Sequence, residues 1–127
     1  MTESNHQPPQ SEIDSIIALF SNNMLQEALD EVKSLTKRFP KDSLLHNITG
    51  ACYAGLGQLG SAIKCYDKAI DINPDYAKAH FNLGNTYHEQ GELDESIISY
   101  QRSIEIDPNY AEAHNNLGNV FRDYRNL

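Results

Sequence analysis

Apolar and polar residues alternate along this chain with a helical rhythm. Ala79, Leu83 and Tyr87 recur at four-residue steps, and Leu93, Ile97, Tyr100 and Ile104 at steps of four and three. Each set therefore lines one face of a helix. The pattern predicts helices over 76–90 and 92–106, with Gly91 ending the first and Pro108 preventing continuation of the second. Segments of about 14 residues make helices roughly 21 Å long.

The rhythm itself repeats. Residues 70–85 and 104–119 align at an offset of 34 with eleven of sixteen positions identical. The same offset links Pro40, Pro74 and Pro108, then Gly50, Gly84 and Gly118, then His46, His80 and His114. Large residues form the columns Tyr53, Tyr87, Phe121 and Val32, Tyr66, Tyr100, and small ones the column Ala28, Ala62, Ser96. Leucine holds a column at Leu25, Leu59, Leu93 and Leu127. A fixed period of this length is the mark of a stacked-repeat architecture. The units run 9–42, degenerate, with Ile16 in the glycine column, then 43–76, 77–110, and a partial unit at 111–127. Residues 1–10 are polar and are expected to form a disordered tail, leaving a repeat domain at 11–127.

Two local expectations follow. Glycine inside a helix costs about 1 kcal/mol relative to alanine, so its recurrence predicts close approach of a partner helix, with the Ala62 and Ser96 column facing it. Asp75 and Asn109 stand where N-caps belong, and Asn109 with Glu112 has capping-box spacing.

His80, Leu83-Gly84, Tyr87, Ser96, Tyr100 and Pro108 together resemble the tetratricopeptide repeat, whose consensus carries Trp, Leu-Gly, Tyr, Ala, Phe or Tyr, and Pro at these spacings. The resemblance runs from Ser11 to the end. It implies an all-α fold, a right-handed α-solenoid of antiparallel helix hairpins. Histidine replaces the consensus Trp in the three clear units, Thr49 replaces a leucine, and Ser96 and Ser103 replace alanines.

Composition narrows the function. The formal net charge of −8 argues against phosphate-rich nucleic acid and anionic membrane as partners. No apolar run approaches the ~20 residues of a membrane span, and the N-terminal residues lack a basic cluster followed by an apolar stretch. A cytoplasmic location is expected. Cys52 and Cys65 lack metal-type spacing and read as free thiols. Trp is absent, so Tyr and Phe supply the large packing groups.

The three column histidines sit on separate packed helices. Axes of such helices are about 8–10 Å apart, while zinc–nitrogen bonds are about 2.0–2.1 Å, so these residues cannot share an ion and instead fill the consensus Trp slot. No metal site or cofactor is expected. No P-loop, nucleophile elbow or His-Glu-x-x-His pattern appears, and no enzymatic activity is expected.

The informative cluster is rich in amides. Asn47, Phe81, Asn82, Asn85, His88, Glu89, Asn115, Asn116, Asn119 and Arg122 all fall on first helices of their units. Asn82 and Asn85 share a helical face, as do Asn116 and Asn119. Asparagine is a mediocre helix former, but its amide both donates and accepts, as the backbone of an extended peptide does. The competing reading is that these asparagines stabilise inter-repeat loops or belong to the consensus of the tetratricopeptide repeat. In the family that this chain resembles, first helices line the concave groove where partners bind. The row resembles the asparagine ladder of tetratricopeptide domains that deliver protein substrates to a glycosyltransferase, with Ile48 as the departure. Asn47, Phe81 and Asn115 stand where a receptor for chaperone C-terminal tails would carry lysine, which argues against that mode.

The expected function is a scaffold that holds a segment of a protein or peptide partner in the groove. Two alternatives remain open. The chain can be the N-terminal substrate-recruiting or targeting module of a larger enzyme of glycosyltransferase or sulfotransferase type. It can also self-associate, as a homodimer, through the C-terminal half-repeat, whose Leu117, Phe121 and Tyr124 lack a following helix.

Overall fold

The computed structural model describes residues 7–127. Of the tail expected at 1–10, residues 1–6 lie outside the described residues, and Gln10 already opens the first helix. The described residues form seven helices, α1 (Gln10–Ser21), α2 (Leu25–Arg38), α3 (Ser43–Gly55), α4 (Leu59–Ile72), α5 (Ala77–Gln90), α6 (Leu93–Ile106) and α7 (Ala111–Arg125). They fall into two compact units, one ending at Ile72 and one beginning at Asn73.

In the first unit, α1 to α4 pack in succession, each against the next. Its core gathers Ile13 and Ile16 from α1, Leu29, Val32 and Leu35 from α2, and Leu45 and Cys52 from α3. The degenerate first repeat is explained by volume. A Cβ added to Gly50 would lie 2.7 Å from the Tyr66 ring, so glycine is the residue that admits the ring. One repeat earlier the same two columns hold Ile16 and Val32, both buried in one cluster. A larger residue on the first helix is matched by a smaller one on the second, which keeps the core filled.

In the second unit, α5 packs on α6 and α6 on α7, with α5 also touching α7. The core holds Phe81, Tyr100, Ala113 and Val120, flanked by Leu93, Ile97, Ile104, Tyr110 and Leu117. Gly84 meets the Tyr100 ring as Gly50 meets Tyr66, and a Cβ there would lie 2.7 Å from Tyr100 Cδ1. At Gly50 and Gly84 a tyrosine ring thus fills the place of the missing Cβ, while the small-residue column meets the Gly84 backbone as expected. Ser96 Oγ donates to the Gly84 carbonyl at 2.8 Å, and Ser103 Oγ to the Ala77 carbonyl at 2.9 Å. Serine replaces alanine here without leaving a buried hydroxyl unpaired.

The turn inside each hairpin uses one device three times. Asn23, Gly57 and Gly91 have φ of 61°, 80° and 80°, and the three positions are 34 apart. The next amide in each case donates back to a helix carbonyl: Met24 to Leu19, Gln58 to Tyr53 and Glu92 to Tyr87, each at 2.9 Å. This is the helix-ending pattern that a left-handed residue permits, and asparagine is the side chain that best tolerates it after glycine.

The helix starts differ from expectation. Tyr76 and Tyr110 are the N-cap residues of α5 and α7, without a side-chain cap bond. Asp75 and Asn109 lie one residue too early. Their amides are bonded by Asn73 Oδ1 and Asp107 Oδ1, each at 3.2 Å. The capping box of Asn109 and Glu112 is therefore not formed. Asp42, before α3, does cap through its side chain, accepting from the Leu45 amide at 3.0 Å.

Candidate functional site

The three column histidines share one contact. The Nε2–H of His46, His80 and His114 donates to the carbonyl of Pro40, Pro74 and Pro108 at 2.8, 3.0 and 2.8 Å. A carbonyl only accepts, so the contact fixes the proton on Nε2. Each histidine thereby ties its first helix to the proline turn six residues before it. His80 is buried and His114 exposed, so the expected interhelical slot is filled fully only in the third unit.

The amide cluster divides by burial. Asn47 is 6% exposed and Phe81 6%, so both are packing residues and neither presents itself to a partner. Phe81 stacks on Tyr110 with ring centroids 4.9 Å apart, and the Lys78 ammonium lies 5.7 Å from the Phe81 centroid. The remaining residues, Asn82, Asn85, His88 and Glu89 on α5 and Asn115, Asn116, Asn119 and Arg122 on α7, are half-buried or exposed within the second unit.

Asn85 is the hub. Its Oδ1 accepts from the Tyr100 hydroxyl and from Asn116 Nδ2, the latter at 3.0 Å. One amide thus joins α5, α6 and α7. One helical turn further along α5, His88 Nε2–H donates to Asp123 Oδ2 at 2.6 Å. Asn119 Oδ1 accepts from Arg122 Nη2 at 2.6 Å. Asn85 and Asn116 thus join helices of neighbouring repeats, and not the inter-repeat loops. These bonds use the oxygen of Asn85 and the amide nitrogen of Asn116.

Burial governs the nearby phenols. It pushes the Tyr100 hydroxyl up to about 12, with the Glu89 carboxylate adding to the shift and hydrogen bonds from Asn116 and Ser96 opposing it. Burial likewise pushes Tyr110 up to about 12, reinforced by Glu112 and Asp107. Both phenols are held neutral, as hydrogen-bonding and packing groups. In the first unit Cys52 and Cys65 are free, and burial pushes the Cys52 thiol up to about 11. A thiol so raised is a poor nucleophile at neutral pH.

Sequence reasoning missed Lys78, Tyr100, Tyr110 and Asp123 as members of this face. Asn85 and Asn116 are 31 residues apart, and His88 and Asp123 are 35 apart. Contacts between helices one repeat apart therefore fall on either side of the 34-residue register, where column alignment cannot show them.

A TPR repeat profile matches residues 50–91 and 84–122, more than half of the chain. The chain belongs to the TPR repeat family. Curated relatives include the Hsp70-Hsp90 organizing protein of Triticum aestivum, 27% identical over 66 residues, 52% of this chain and 11% of that protein. The peroxisomal targeting signal receptor of Candida albicans is 28% identical over 68 residues, 54% of this chain and 12% of that protein. The matched stretch thus covers only a small part of each relative. Among solved structures, the first TPR of Spaghetti (RPAP3) bound to the HSP90 peptide SRMEEVD superposes with a TM-score of 0.88 at 22% identity, covering 94% of this chain and 95% of that one. The Sgt2 TPR domain from Aspergillus fumigatus superposes at 0.87 and 19% identity, covering 91% and 78%. The second TPR domain of human RPAP3, in complex with the HSP70 peptide SGPTIEEVD, does so at 0.83 and 20%, covering 91% and 97%. These likenesses establish the TPR fold. Among the described residues, no helix is long and apolar enough to cross a membrane.

Proposed function

We propose that this TPR chain is a peptide-binding interaction module that holds an extended segment of a partner protein along the amide-bearing face of α5 and α7. The observation that carries the reading is the hub at Asn85. Internal bonds fix the orientation of Asn85 and Asn116, so their remaining donor and acceptor groups are preorganised, which reduces the entropy lost when a peptide is bound. Asn82 and Asn119 extend the same row. The peptide-bound TPR structures described above support binding of a peptide as the mode of action. The module has no catalytic role in this reading.

The chemistry of the partner differs from that of the acidic SRMEEVD and SGPTIEEVD tails. An acidic tail needs cations on the first helices, and this chain has a net charge of −8. On α5 and α7, Lys78 is engaged with the Phe81 ring and Arg122 with Asn119, Arg125 stands at the C-terminal end of α7, and Glu89, Glu112 and Asp123 offset these three cations. A neutral or weakly basic extended peptide fits better.

The test is selection from a displayed library of unstructured peptides, followed by affinity measurement with SRMEEVD as comparator. Selected sequences are expected to be neutral or basic. Asn82→Ala with Asn119→Ala should weaken them by about tenfold, the equivalent of about 1.4 kcal/mol. Tight binding of SRMEEVD, or full affinity in the double variant, would overturn the assignment.

A further inference from the structure

The columns that carry the amide row in the second unit carry carbon in the first. At an offset of 34, the column of Asn85 and Asn119 runs back through Ala51 to Ile17, and that of His88 and Arg122 through Ala54 to Phe20. The column of Asn82 and Asn116 runs back to Ile48. Ile13, Ile17 and Phe20 follow one another at steps of four and three, as do Leu44, Ile48 and Ala51, so α1 and α3 each present one apolar stripe. Ile17 is 45% exposed, Phe20 37% and Leu44 37%, and Ile48, Ala51 and Ala54 are half-buried.

These stripes are not a stacking face left bare at the start of the array. The columns that pack back on the preceding hairpin are different ones. On α3 they hold Leu45 and Cys52, which join the core with α2. On α1 the same columns hold Ser11 and Ala18, both exposed. A helix placed before α1 would therefore cover Ser11 and Ala18, and not Ile17 or Phe20. The Ile17 and Phe20 columns also stay partly open in the later repeats, where Ala51, Ala54, Asn85 and His88 are half-buried.

We propose that the stripes of α1 and α3 receive large aliphatic or aromatic side chains of the partner segment, so that the ligand is an extended peptide with an apolar block. This rests on the peptide-binding reading above and narrows its ligand class. Charge selects the occupant. In these columns α1 and α3 carry a single ionisable side chain, Asp14, and it accepts from Gln10 Nε2 at 2.9 Å. A charged segment would lose hydration there without gaining a partner, whereas an apolar one gains by burial. The small side chains of Ala51 and Ala54 leave room over α3 for such a group. A second copy would bring a net charge of −8 against its own kind. Residues 1–9 contain no Leu, Ile, Val or Phe, so the chain's own leading segment does not supply the side chains.

Peptides selected from the displayed library are the probe, and their affinity for the full chain is read by fluorescence anisotropy. They are expected to be enriched in Leu, Ile, Phe or Met. Ile17→Ser with Phe20→Ser should weaken binding about tenfold or more, while Ile17→Val with Phe20→Leu should keep most of the affinity. Neither residue belongs to the core cluster, so the thermal melt should match the parent; Leu44→Ser, on α3, gives an independent test should the double variant melt lower. Serine in place of the apolar residues of the peptide should cost the same factor against the parent and little more against the double serine variant. Asn82→Ala with Asn119→Ala is measured alongside. Loss of affinity there, with full affinity in both the double serine variant and Leu44→Ser, would overturn this proposal and leave the amide face standing. Selected peptides without apolar enrichment would also overturn it. Absence of any peptide binding would overturn both readings. Sedimentation of the chain without peptide completes the test: a dimer dissolved by Ile17→Ser with Phe20→Ser would assign the stripes to a second copy instead.

Discussion

Gly84 and Gly118 occupy one column of the repeat, and the same substitution should have opposite effects at the two sites. An alanine at either position gains helix propensity, about 1 kcal/mol. At Gly118 the new methyl meets nothing within 4 Å, so that gain is kept. At Gly84 it would lie 2.7 Å from Tyr100 Cδ1 and 2.8 Å from Cε1, roughly 1 Å inside the usual 3.5–4.0 Å carbon contact. The ring cannot easily yield, because Tyr100 is 1% exposed and its hydroxyl is held by Asn85. Overpacking of this kind costs about 1–3 kcal/mol. Gly84→Ala should therefore range from near neutral to about 2 kcal/mol destabilised, while Gly118→Ala is stabilised by up to about 1 kcal/mol. The gap between them, about 1–3 kcal/mol, is free of propensity, since both carry the same change in the same helical setting. Urea melts followed by circular dichroism measure it. A Gly84→Ala protein as stable as Gly118→Ala would refute the ring-contact account of the glycine column. Gly84→Leu should exceed Gly84→Ala in cost for the same reason.

Three further outcomes follow from the same contacts. Asn85→Ala removes the acceptor of the buried Tyr100 hydroxyl and should cost about 1–3 kcal/mol. Adding Tyr100→Phe should cost little more, so a double-mutant cycle with no coupling would contradict the hub. His80→Ala should cost about 1–2 kcal/mol and His114→Ala less than about 0.5 kcal/mol, since of the two only His80 is buried; equal losses in thermal melts would show that the proline-carbonyl contact acts without regard to burial. Tyr100 and Tyr110 are raised from the ordinary value of 10.0 to about 12 in the folded chain. A folded-state proton affinity above the unfolded one stabilises fully below pH about 10 and is lost as pH rises toward about 12. Denaturant midpoints should fall across that window, and a midpoint that holds steady through it would contradict the burial of both phenols.

The helices, their pairing into hairpins and the phase of the array were legible in the sequence because period and column carry them. The first repeat kept its phase through Leu25, Ala28 and Pro40 although its glycine had become Ile16. What the columns could not give is which side chain meets which. The glycine column was matched to Ala62 and Ser96, and Ser96 does meet the Gly84 carbonyl, but the columns did not show that the rings of Tyr66 and Tyr100 fill the Cβ positions of Gly50 and Gly84. Asp75 and Asn109 looked like caps by composition but are displaced by one residue, because Asn73 and Asp107 bond their amides first. On the candidate face, Asn47 and Phe81 share a column with exposed Asn115 yet are buried, since exposure depends on which helices flank a position. Asn23 was hidden as the partner of Gly57 and Gly91 because its type differs, although its backbone does the same thing.

The central claim is that the amide face of α5 and α7 receives a peptide backbone. The most direct measurement is a two-dimensional NMR titration of the nitrogen-labelled chain with a selected peptide, reading the side-chain NH2 signals of its asparagines. The account predicts that the largest shifts fall on Asn82, Asn85, Asn116 and Asn119, and that buried Asn47 stays still. Shifts that leave these four signals unmoved, while a peptide binds elsewhere on the chain, would contradict it.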